Sequence, residues 1–319
     1  MQVMTKCPIC KNNQTILFCD KKHYFYYLCQ NCHTLFLKNQ PSKQKIEQYY
    51  RHQFGYKNGL SEQNNIRNQS KKILLNLLKF NSKGERLLDI GSGYGVLLEE
   101  ANRYPLKAIG IEPSTKLYNQ LKKFDYLNNR ILITSQTFDD FYKKNKDAKF
   151  DFITAVHVIE HLKNPQKFIR QAVLLLNRNG ILYIETPNLN SHLFYSEKQN
   201  YTFLTPPEHL WVFSKKSFNY LLPDLNQYQV KTFTYSYRQH LMGVIKNNLQ
   251  LIFNQRLKIE NKGLKSYKFK TASQQSRYVT ASKYLKYLFF DRLLAKIAVP
   301  LLNIGGKGSI LELYIKKIY

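Results

Sequence analysis

The stretch Leu87–Leu98, LLDIGSGYGVLL, joins two apolar segments through three alternating glycines. This pattern predicts a buried strand, a tight turn and a helix, because glycine accepts left-handed backbone and lets the main chain approach a ligand. A second apolar run, Ile109–Pro113, follows about twenty residues later and contains Glu112 at its end. In a doubly wound sheet this is where an acid accepts the hydroxyls of a bound ribose. The two segments together predict a site for a nucleoside cofactor.

The glycine turn reads GSGYG and lacks the third glycine of the dinucleotide pattern, which disfavours nicotinamide and flavin cofactors. These residues resemble class I S-adenosylmethionine-dependent methyltransferases, whose first motif is apolar-apolar-Asp-x-Gly-x-Gly-x-Gly. Downstream, Lys149–Val156 is similar to the fourth strand of that family, and His157–Pro165 to the V-x-E-H-x-x-x-P signature of one branch. The run Ala172–Pro187 is similar to its next helix, glycine turn and fifth strand. The resemblance implies an α/β fold with a Rossmann-like doubly wound sheet of seven strands.

The resemblance also implies the cofactor, S-adenosyl-L-methionine. The three glycines would let the main chain pass close to its methionine end, Asp89 would reach its amino group, and Glu112 would hold the ribose. Phe138, which follows the predicted strand at 131–134, is the candidate for packing the adenine. The cofactor-binding candidates are Asp89, Gly91, Ser92, Gly93, Gly95, Glu112, Phe138 and His157.

His157, Glu160 and His161 are spaced so that a helical turn would bring them to one side. One interpretation is acid–base chemistry, since imidazole titrates near neutral pH. Another is a divalent metal site, because the stretch resembles the E-x-x-E-H of quinone O-methyltransferases that use a metal. His157 replaces the first Glu of that motif, which makes magnesium less suitable. A third is structural, with Glu160 and His161 capping the following helix and orienting the loop.

A second Glu-His pair lies in Pro206–Ser214, which is similar to the E-H-x-x-x-F-S segment of the family. That segment also occurs in sugar C-methyltransferases with an N-terminal cysteine-rich unit, where the histidine lies beside the acceptor. The resemblance makes His209 the first candidate for the general base and His161 the second, while an ordinary loop histidine remains the alternative. The catalytic candidates are His209, His161, His157 and Glu208.

The first forty residues contain two C-x-x-C pairs, Cys7/Cys10 and Cys29/Cys32. This spacing predicts a zinc ribbon in which four thiolates close a structural Zn²⁺ site without an open position. A redox or disulfide role is the alternative, and it is disfavoured in a reducing compartment. Cys19 is left over and is expected to be a small buried apolar residue, whereas His23 and His33 are substitute ligands that four cysteines make unnecessary.

The chain is therefore expected to divide into a zinc-ribbon unit at 1–40, a linker and helix at 41–80, and a methyltransferase domain at 81–319. Core strands are predicted at 86–90, 107–111, 131–134, 150–156 and 180–185, with a last antiparallel strand over Ser309–Ile315. The segment 237–306 is predicted to be a basic helical insertion before that strand. Helical spacing of apolar residues precedes the first core strand, at Ile66, Ile73, Leu74, Leu77 and Leu78.

The net charge of +28 raises the question of a polyanionic partner. Lysines are scattered through nearly every segment, which favours solvated surfaces, so an RNA substrate is an alternative that the sequence does not favour.

The preferred acceptor is a small molecule, a saccharide or a lipid-linked precursor, and a non-catalytic binding protein on the same scaffold stays open. No apolar run is long enough to span a bilayer, so a cytoplasmic protein is expected, with peripheral membrane contact through an amphipathic run near 287–299 left open.

Overall fold

A computed structural model describes residues 5–42, 44–46, 60–123, 128–237, 240, 244 and 295–319. Most of the expected basic insertion at 237–306, including 287–294 of the amphipathic run near 287–299, lies outside this range. The chain forms two compact units. The first comprises Met1–Pro187, Phe203–Phe233 and Leu311–Tyr319, and the second comprises Asn188–Thr202 and Thr234–Ile310.

The N-terminal part of the first unit is a small antiparallel sheet of strands β1 (Thr15–Lys21), β2 (Tyr24–Cys29) and β3 (Leu35–Leu37). β1 and β2 are joined by Lys22 and His23, both with positive φ, as the right-handed twist of a two-residue hairpin requires. A fourth strand is supplied by a distant segment of the chain. It is β9 (Trp211–Val212), which pairs with β3 in antiparallel fashion.

The rest of the first unit is an α/β core in which strands and helices alternate. Its helices are α1 (Leu60–Phe80), α2 (Val96–Ala101), α3 (Thr115–Leu121), α4 (Phe138–Lys144), α5 (Pro165–Leu174) and, after a turn, α7 (Lys215–Phe218). Its strands are β4 (Arg86–Ile90), β5 (Lys107–Ile111), β6 (Ile131–Thr134), β7 (Phe150–Val156), β8 (Leu176–Pro187), β10 (Tyr228–Tyr235) and β11 (Ile310–Lys317).

These seven strands form one sheet in the order β10-β11-β8-β7-β4-β5-β6. The five strands from β8 to β6 are parallel. β11 is antiparallel to β8. The Nζ of Lys317, at the end of β11, donates to the carbonyl oxygen of Leu176, where β8 begins. The main-chain N–H of Ile318 likewise donates to Gln227, directly before β10. The predicted seven-stranded sheet with an antiparallel last strand is confirmed.

The predicted helix before the first core strand is α1, and its apolar face is buried. Ile73, Leu74 and Leu77 are at most 1% exposed and pack with Leu87 of β4 and Tyr314 of β11. Burial of this stripe removes apolar surface from water at about 25 cal/mol per Å², which stabilises the helix more than its intrinsic propensity does.

The fifth core strand is longer than the predicted 180–185. The polar run Asn177–Gly180 reads as a turn, yet it is part of β8, with Asn179 at φ 62°. Gly180 is required because a Cβ there would lie 2.8 Å from the carbonyl oxygen of Asn177 and 3.0 Å from that of Phe150. β10 is half exposed, so its apolar pattern is too weak to have been recognised as a core strand.

The second unit contains helices α6 (His192–Glu197), whose N-cap is Ser191, and α8 (Ala295–Leu302). Asn188 ties its two chain segments together by donating to the carbonyl oxygens of Gly306 and Gly308. Within the described ranges, no helix combines the length and apolar character needed to cross a bilayer.

Candidate active site

The glycine turn after β4 adopts the left-handed backbone that its sequence predicts. Gly91, Gly93 and Gly95 have φ values of 73°, 55° and 71°. The turn is fastened to the neighbouring strand, since the N–H groups of Gly91 and Ser92 both donate to the carbonyl oxygen of Ile111. A Cβ on Gly91 would lie 2.6 Å from Val158, whereas a Cβ on Gly93 would meet only one atom of the described residues within 4 Å, at 3.9 Å. The chain therefore leaves space beside Gly93, as a cofactor cradle requires.

Glu112 lies at the carboxyl end of β5 and reaches back to this turn. One carboxylate oxygen accepts the N–H of Gly93 at 2.9 Å and the other accepts the N–H of Ser114 at 2.8 Å. The residue is 5% exposed, and burial raises the pKa of its carboxyl group despite these two bonds. Each oxygen retains a second lone pair, so the carboxylate can hold the turn and still accept a ribose hydroxyl.

Asp89, the acid of the first motif, is 3% exposed at the end of β4. Its carboxylate accepts the hydroxyl of Thr154 on β7 at 2.7 Å, and Ser92 donates to its main-chain carbonyl at 3.1 Å. Burial raises the pKa of Asp89 to about 6. Asp89 and Ser92 thus fix the two sides of the turn against the sheet.

Phe138 begins α4 and is 8% exposed. Its ring packs edge-on against Phe168 of α5, with centroids 5.2 Å apart. The structure thus places the predicted adenine contact among core aromatic rings at the edge of the sheet's carboxyl end.

His157 follows β7 with φ 52° and stands between two buried carboxylates. Its Nδ1 lies 3.0 Å from Glu160 and its Nε2 lies 3.4 Å from Glu185. Burial acts to lower the pKa of His157, but the hydrogen bonds and charges of the two glutamates outweigh it and raise the pKa well above the ordinary value. A general base needs a neutral ring, so this environment favours a structural part for His157 over proton abstraction.

Glu160, the carboxylate beside the Nδ1 of His157, is completely buried. It also accepts the hydroxyl of Thr186 at 3.1 Å. Burial acts to raise the pKa of Glu160, but the bond with His157 and the charges of His161 and His157 outweigh it, so the carboxyl group remains ionised.

His161 and His209 face each other with ring centroids 4.7 Å apart. The Nδ1 of His161 lies 3.1 Å from the carbonyl oxygen of Glu208, and the Nδ1 of His209 lies 2.6 Å from that of Phe203. A carbonyl only accepts, so in the neutral rings Nδ1 carries the proton and Nε2 carries the lone pair. Burial, together with the charge of His161, lowers the pKa of His209 to about 3. His209 is therefore a neutral imidazole over the physiological range.

One ring nitrogen from each of these histidines and one oxygen of Glu160 lie within 4.8 Å of one another. The sequence prediction that grouped His157, Glu160 and His161 thus describes part of the cluster, with His209 added from a segment about fifty residues away. Glu208 contributes its main-chain carbonyl. The predicted capping role of Glu160 and His161 is wrong, because the two lie in a short 3-10 turn and α5 is capped by Asn164.

Sequence reasoning missed Glu185 and Thr186, which stand at the carboxyl end of β8. Polar residues ending an otherwise apolar strand, Ile181–Ile184, are the signal that could have found them. Glu185 also accepts the hydroxyl of Tyr183 at 2.7 Å, and the same hydroxyl lies 2.9 Å from buried Glu312. Gln69 of α1 and Lys72 complete this network by bonding Glu185 and Glu312.

The four predicted metal ligands come together in the N-terminal sheet. The sulfur atoms of Cys7 and Cys32 are 3.6 Å apart, those of Cys10 and Cys29 are 3.5 Å apart, and all four lie within 4.8 Å of one another. Each pair sits on a similar turn, in which the N–H four residues after the first cysteine returns to its carbonyl. Tetrahedral zinc with Zn–S bonds of about 2.3 Å requires sulfur atoms about 3.8 Å apart, which fits this cluster. Cys19 is buried outside it, and His23 and His33 are not members.

The strand order, with a glycine turn bonded to an acid at the end of the next strand, defines a class I S-adenosylmethionine-dependent methyltransferase fold. A family profile described as a methyltransferase domain matches residues 61–230, which is more than half of the chain. The protein belongs to this methyltransferase family.

Two curated relatives carry names that agree with this family. The ubiquinone biosynthesis O-methyltransferase of Pelagibacter ubique (strain HTCC1062) is 35% identical over 114 residues, which cover 35% of this chain and 47% of that protein. The mitochondrial enzyme of the same name from Rattus norvegicus is 32% identical over 109 residues, covering 33% of this chain and 31% of that protein. The chain thus spans less than half the length of either relative.

Among solved structures, a SAM-dependent methyltransferase from Archaeoglobus fulgidus is similar with a TM-score of 0.47 and 19% identity, covering 79% of this chain and 94% of that one. The plantazolicin methyltransferase BpumL, in complex with a monoazolic desmethylPZN analog and SAH, has a TM-score of 0.49 and 16% identity, covering 88% and 91%. Since both scores are below 0.5, the family assignment depends on the match of residues 61–230.

Proposed function

We propose that this protein transfers a methyl group from S-adenosylmethionine to a hydroxyl oxygen or an acidic carbon of a small-molecule, saccharide or lipid-linked acceptor. The observation that carries this proposal is the pair of facing imidazoles, His161 and His209, in which the Nδ1 of His209 is held by the carbonyl oxygen of Phe203 and its Nε2 makes no hydrogen bond to the described residues. Relatives named as O-methyltransferases support a hydroxyl acceptor in particular.

The cofactor, when bound, supplies a methyl group already activated by a sulfonium. The chain's own contribution is to hold that cofactor at Gly91–Gly95 and Glu112 and to place an acceptor beside it. The Nε2 of His209 takes the acceptor proton, with His161 as the second candidate. His157 does not accept the proton, because Glu160 and Glu185 keep it charged, and its role is to fix those carboxylates. Phe138 is proposed to pack the adenine.

The N-terminal cluster is proposed to hold a structural Zn²⁺ through Cys7, Cys10, Cys29 and Cys32. Four thiolates with no room for a fifth ligand give a closed site, which suits a folding role rather than catalysis. Such a small sheet has little core of its own, so metal binding would supply much of its folding free energy.

The cofactor proposal is tested by calorimetric titration of S-adenosylmethionine and S-adenosylhomocysteine into wild type, Glu112→Gln and Glu112→Ala. Glutamine retains a single acceptor oxygen for the two N–H groups, and alanine retains none, so affinity is expected to fall in that order. Glu85→Ala is the matched control, since Glu85 is an exposed acid at the other end of β4. Absence of binding to folded, zinc-loaded wild type would overturn the enzymatic proposal.

The acceptor class is tested with radiolabelled S-adenosylmethionine and a panel of catechols, nucleotide sugars, lipid-linked sugars and RNA. Transfer to catechols or sugars that is lost in His209→Gln supports the proposal. Transfer confined to RNA, with affinity that falls steeply as salt rises, would contradict it.

A further inference from the structure

The segment that carries His209 is fastened on one side to the methyltransferase core and on the other to the cysteine-rich sheet. The N–H of Leu210 donates to the carbonyl oxygen of Glu160 at 2.9 Å, which joins the segment to the cluster of Glu160, His161 and His209. The carbonyl oxygen of Leu210 accepts the N–H of Leu37 at 2.9 Å, and that of His209 accepts the hydroxyl of Tyr26 at 2.6 Å. The His209–Leu210 dipeptide is therefore a bridge between the two sheets.

The attachment continues along the next residues. β3 pairs with β9, so that Leu35 is opposite Val212 and Phe36 is opposite Trp211. The indole N–H of Trp211 then donates to the carbonyl oxygen of Leu162, at 2.7 Å, in the loop that carries the cluster. The strand that follows His209 is thus shared by the small sheet and the core.

A third set of contacts reaches the metal-binding turn itself. The hydroxyl of Ser217 donates to the main-chain carbonyl of His33 at 3.1 Å and accepts the hydroxyl of Thr34 at 2.8 Å. Thr34 also lies 3.2 Å from the sulfur of Cys32. Direct hydrogen bonds therefore connect the cysteine-bearing turn with Ser217 in α7.

We propose that the cysteine-rich sheet builds the acceptor side of the active site and that Tyr26 is a positioning residue for His209. This inference rests on the proposed function only in giving His209 a role as base. Tyr26 is fully buried, its hydroxyl holds the carbonyl of His209, and the ring of His209 is oriented by its own bond to Phe203. Burial raises the pKa of Tyr26 well above its usual value, so that the hydroxyl stays a donor at all working pH values.

The experiment compares Tyr26→Phe with Tyr27→Phe in the full, zinc-loaded chain. Tyr27 is the matched control because it is the next residue of β2, its ring stacks on Phe36, and its hydroxyl makes no hydrogen bond to the described residues. The readout is the ring tautomer of His209 in ¹⁵N spectra of histidine side chains, assigned with His209→Gln. Wild type and Tyr27→Phe should show the Nδ1–H tautomer, and Tyr26→Phe should show a mixture of both tautomers.

Hydrogen exchange provides a second readout that needs no acceptor. In Tyr26→Phe, exchange over residues 205–213 should accelerate about tenfold, while the cofactor segment 87–98 exchanges as in wild type. A wild-type tautomer together with wild-type exchange in Tyr26→Phe would overturn the proposal. If Tyr26→Phe does not fold, Ser217→Ala removes the neighbouring attachment and is judged by the same readouts.

The outcomes separate this inference from the proposed function. With an acceptor from the panel, Tyr26→Phe should lower kcat about tenfold and leave KM and the affinity for S-adenosylhomocysteine unchanged. If Tyr26→Phe changes the His209 tautomer but wild type methylates no acceptor, Tyr26 still positions His209 and the proposed function is wrong. Methyl transfer with an unresponsive tautomer removes only the positioning role.

Discussion

The carboxylate of Glu112 accepts the N–H of Gly93, so the acid proposed to hold the ribose also holds the glycine turn. Their side-by-side position at the ends of β5 and β4 follows from the parallel pairing of Gly110 with Asp89 and of Ile111 with Ile90. The shape of the cradle and the ribose contact are therefore one unit, and a change in either residue affects both.

Gly93→Ala is expected to weaken binding of S-adenosylhomocysteine at least tenfold. The new Cβ would occupy the space that the chain leaves open, and left-handed backbone would cost about 1 kcal/mol in folding stability. Gly305→Ala is the control, because Gly305 has φ 66° and its Cβ would meet no described atom within 4 Å, but it lies in the second unit. Calorimetry and urea unfolding of both variants separate backbone strain from lost binding. Equal affinities would contradict a cofactor beside Gly93.

His209→Gln is expected to lower kcat by at least about a hundredfold while leaving cofactor affinity unchanged, because a general base typically contributes that much or more. His161→Gln should have a smaller effect, since it faces His209 without replacing it. His192→Gln, an exposed histidine of the second unit, is the control. The measurement is the rate of transfer of a labelled methyl group. If His161→Gln loses more of this rate than His209→Gln, His161 is the general base instead of His209.

His157→Gln is expected to destabilise the fold by about 2 kcal/mol, less than for a fully buried ion pair because 32% of the His157 side chain is exposed. The raised pKa of His157 sets the pH dependence. Its contribution is fully present below the unfolded pKa of about 6.5 and is lost as pH rises through the higher folded value. Urea unfolding at pH 6, 8 and 10 should therefore show the largest difference from wild type at pH 6. A difference that stays constant with pH would exclude a charged His157.

Cys10→Ser is expected to abolish stoichiometric zinc binding and to lower the thermal midpoint, because a structural site needs all four thiolates. Cys19→Ser is the control, since Cys19 is buried in β1 outside the cluster. Metal analysis measures the zinc content of both variants, and thermal unfolding measures their midpoints. Zinc retained by Cys10→Ser, or lost equally from Cys19→Ser, would contradict the four-cysteine site.

The sequence by itself determined the cofactor half of the protein. Strand, glycine turn and acid are local patterns, and the glycines at 91, 93 and 95 are needed by the backbone whatever surrounds them. The four cysteines were also predictable, because two C-x-x-C pairs in a short segment can meet at one ion. Parallel strands then place Asp89 and Glu112 at the same edge of the sheet.

Tertiary structure alone decided the histidine cluster that is proposed to face the acceptor. His209 joins His161 and Glu160 across about fifty residues, and Glu185 on a neighbouring strand adds to Glu160 of the same motif in raising the pKa of His157. Likewise, β9 completes a sheet whose other strands begin near the N-terminus. Such contacts depend on which surfaces the folded chain brings together, whereas periodicity and spacing encode only neighbours along the chain.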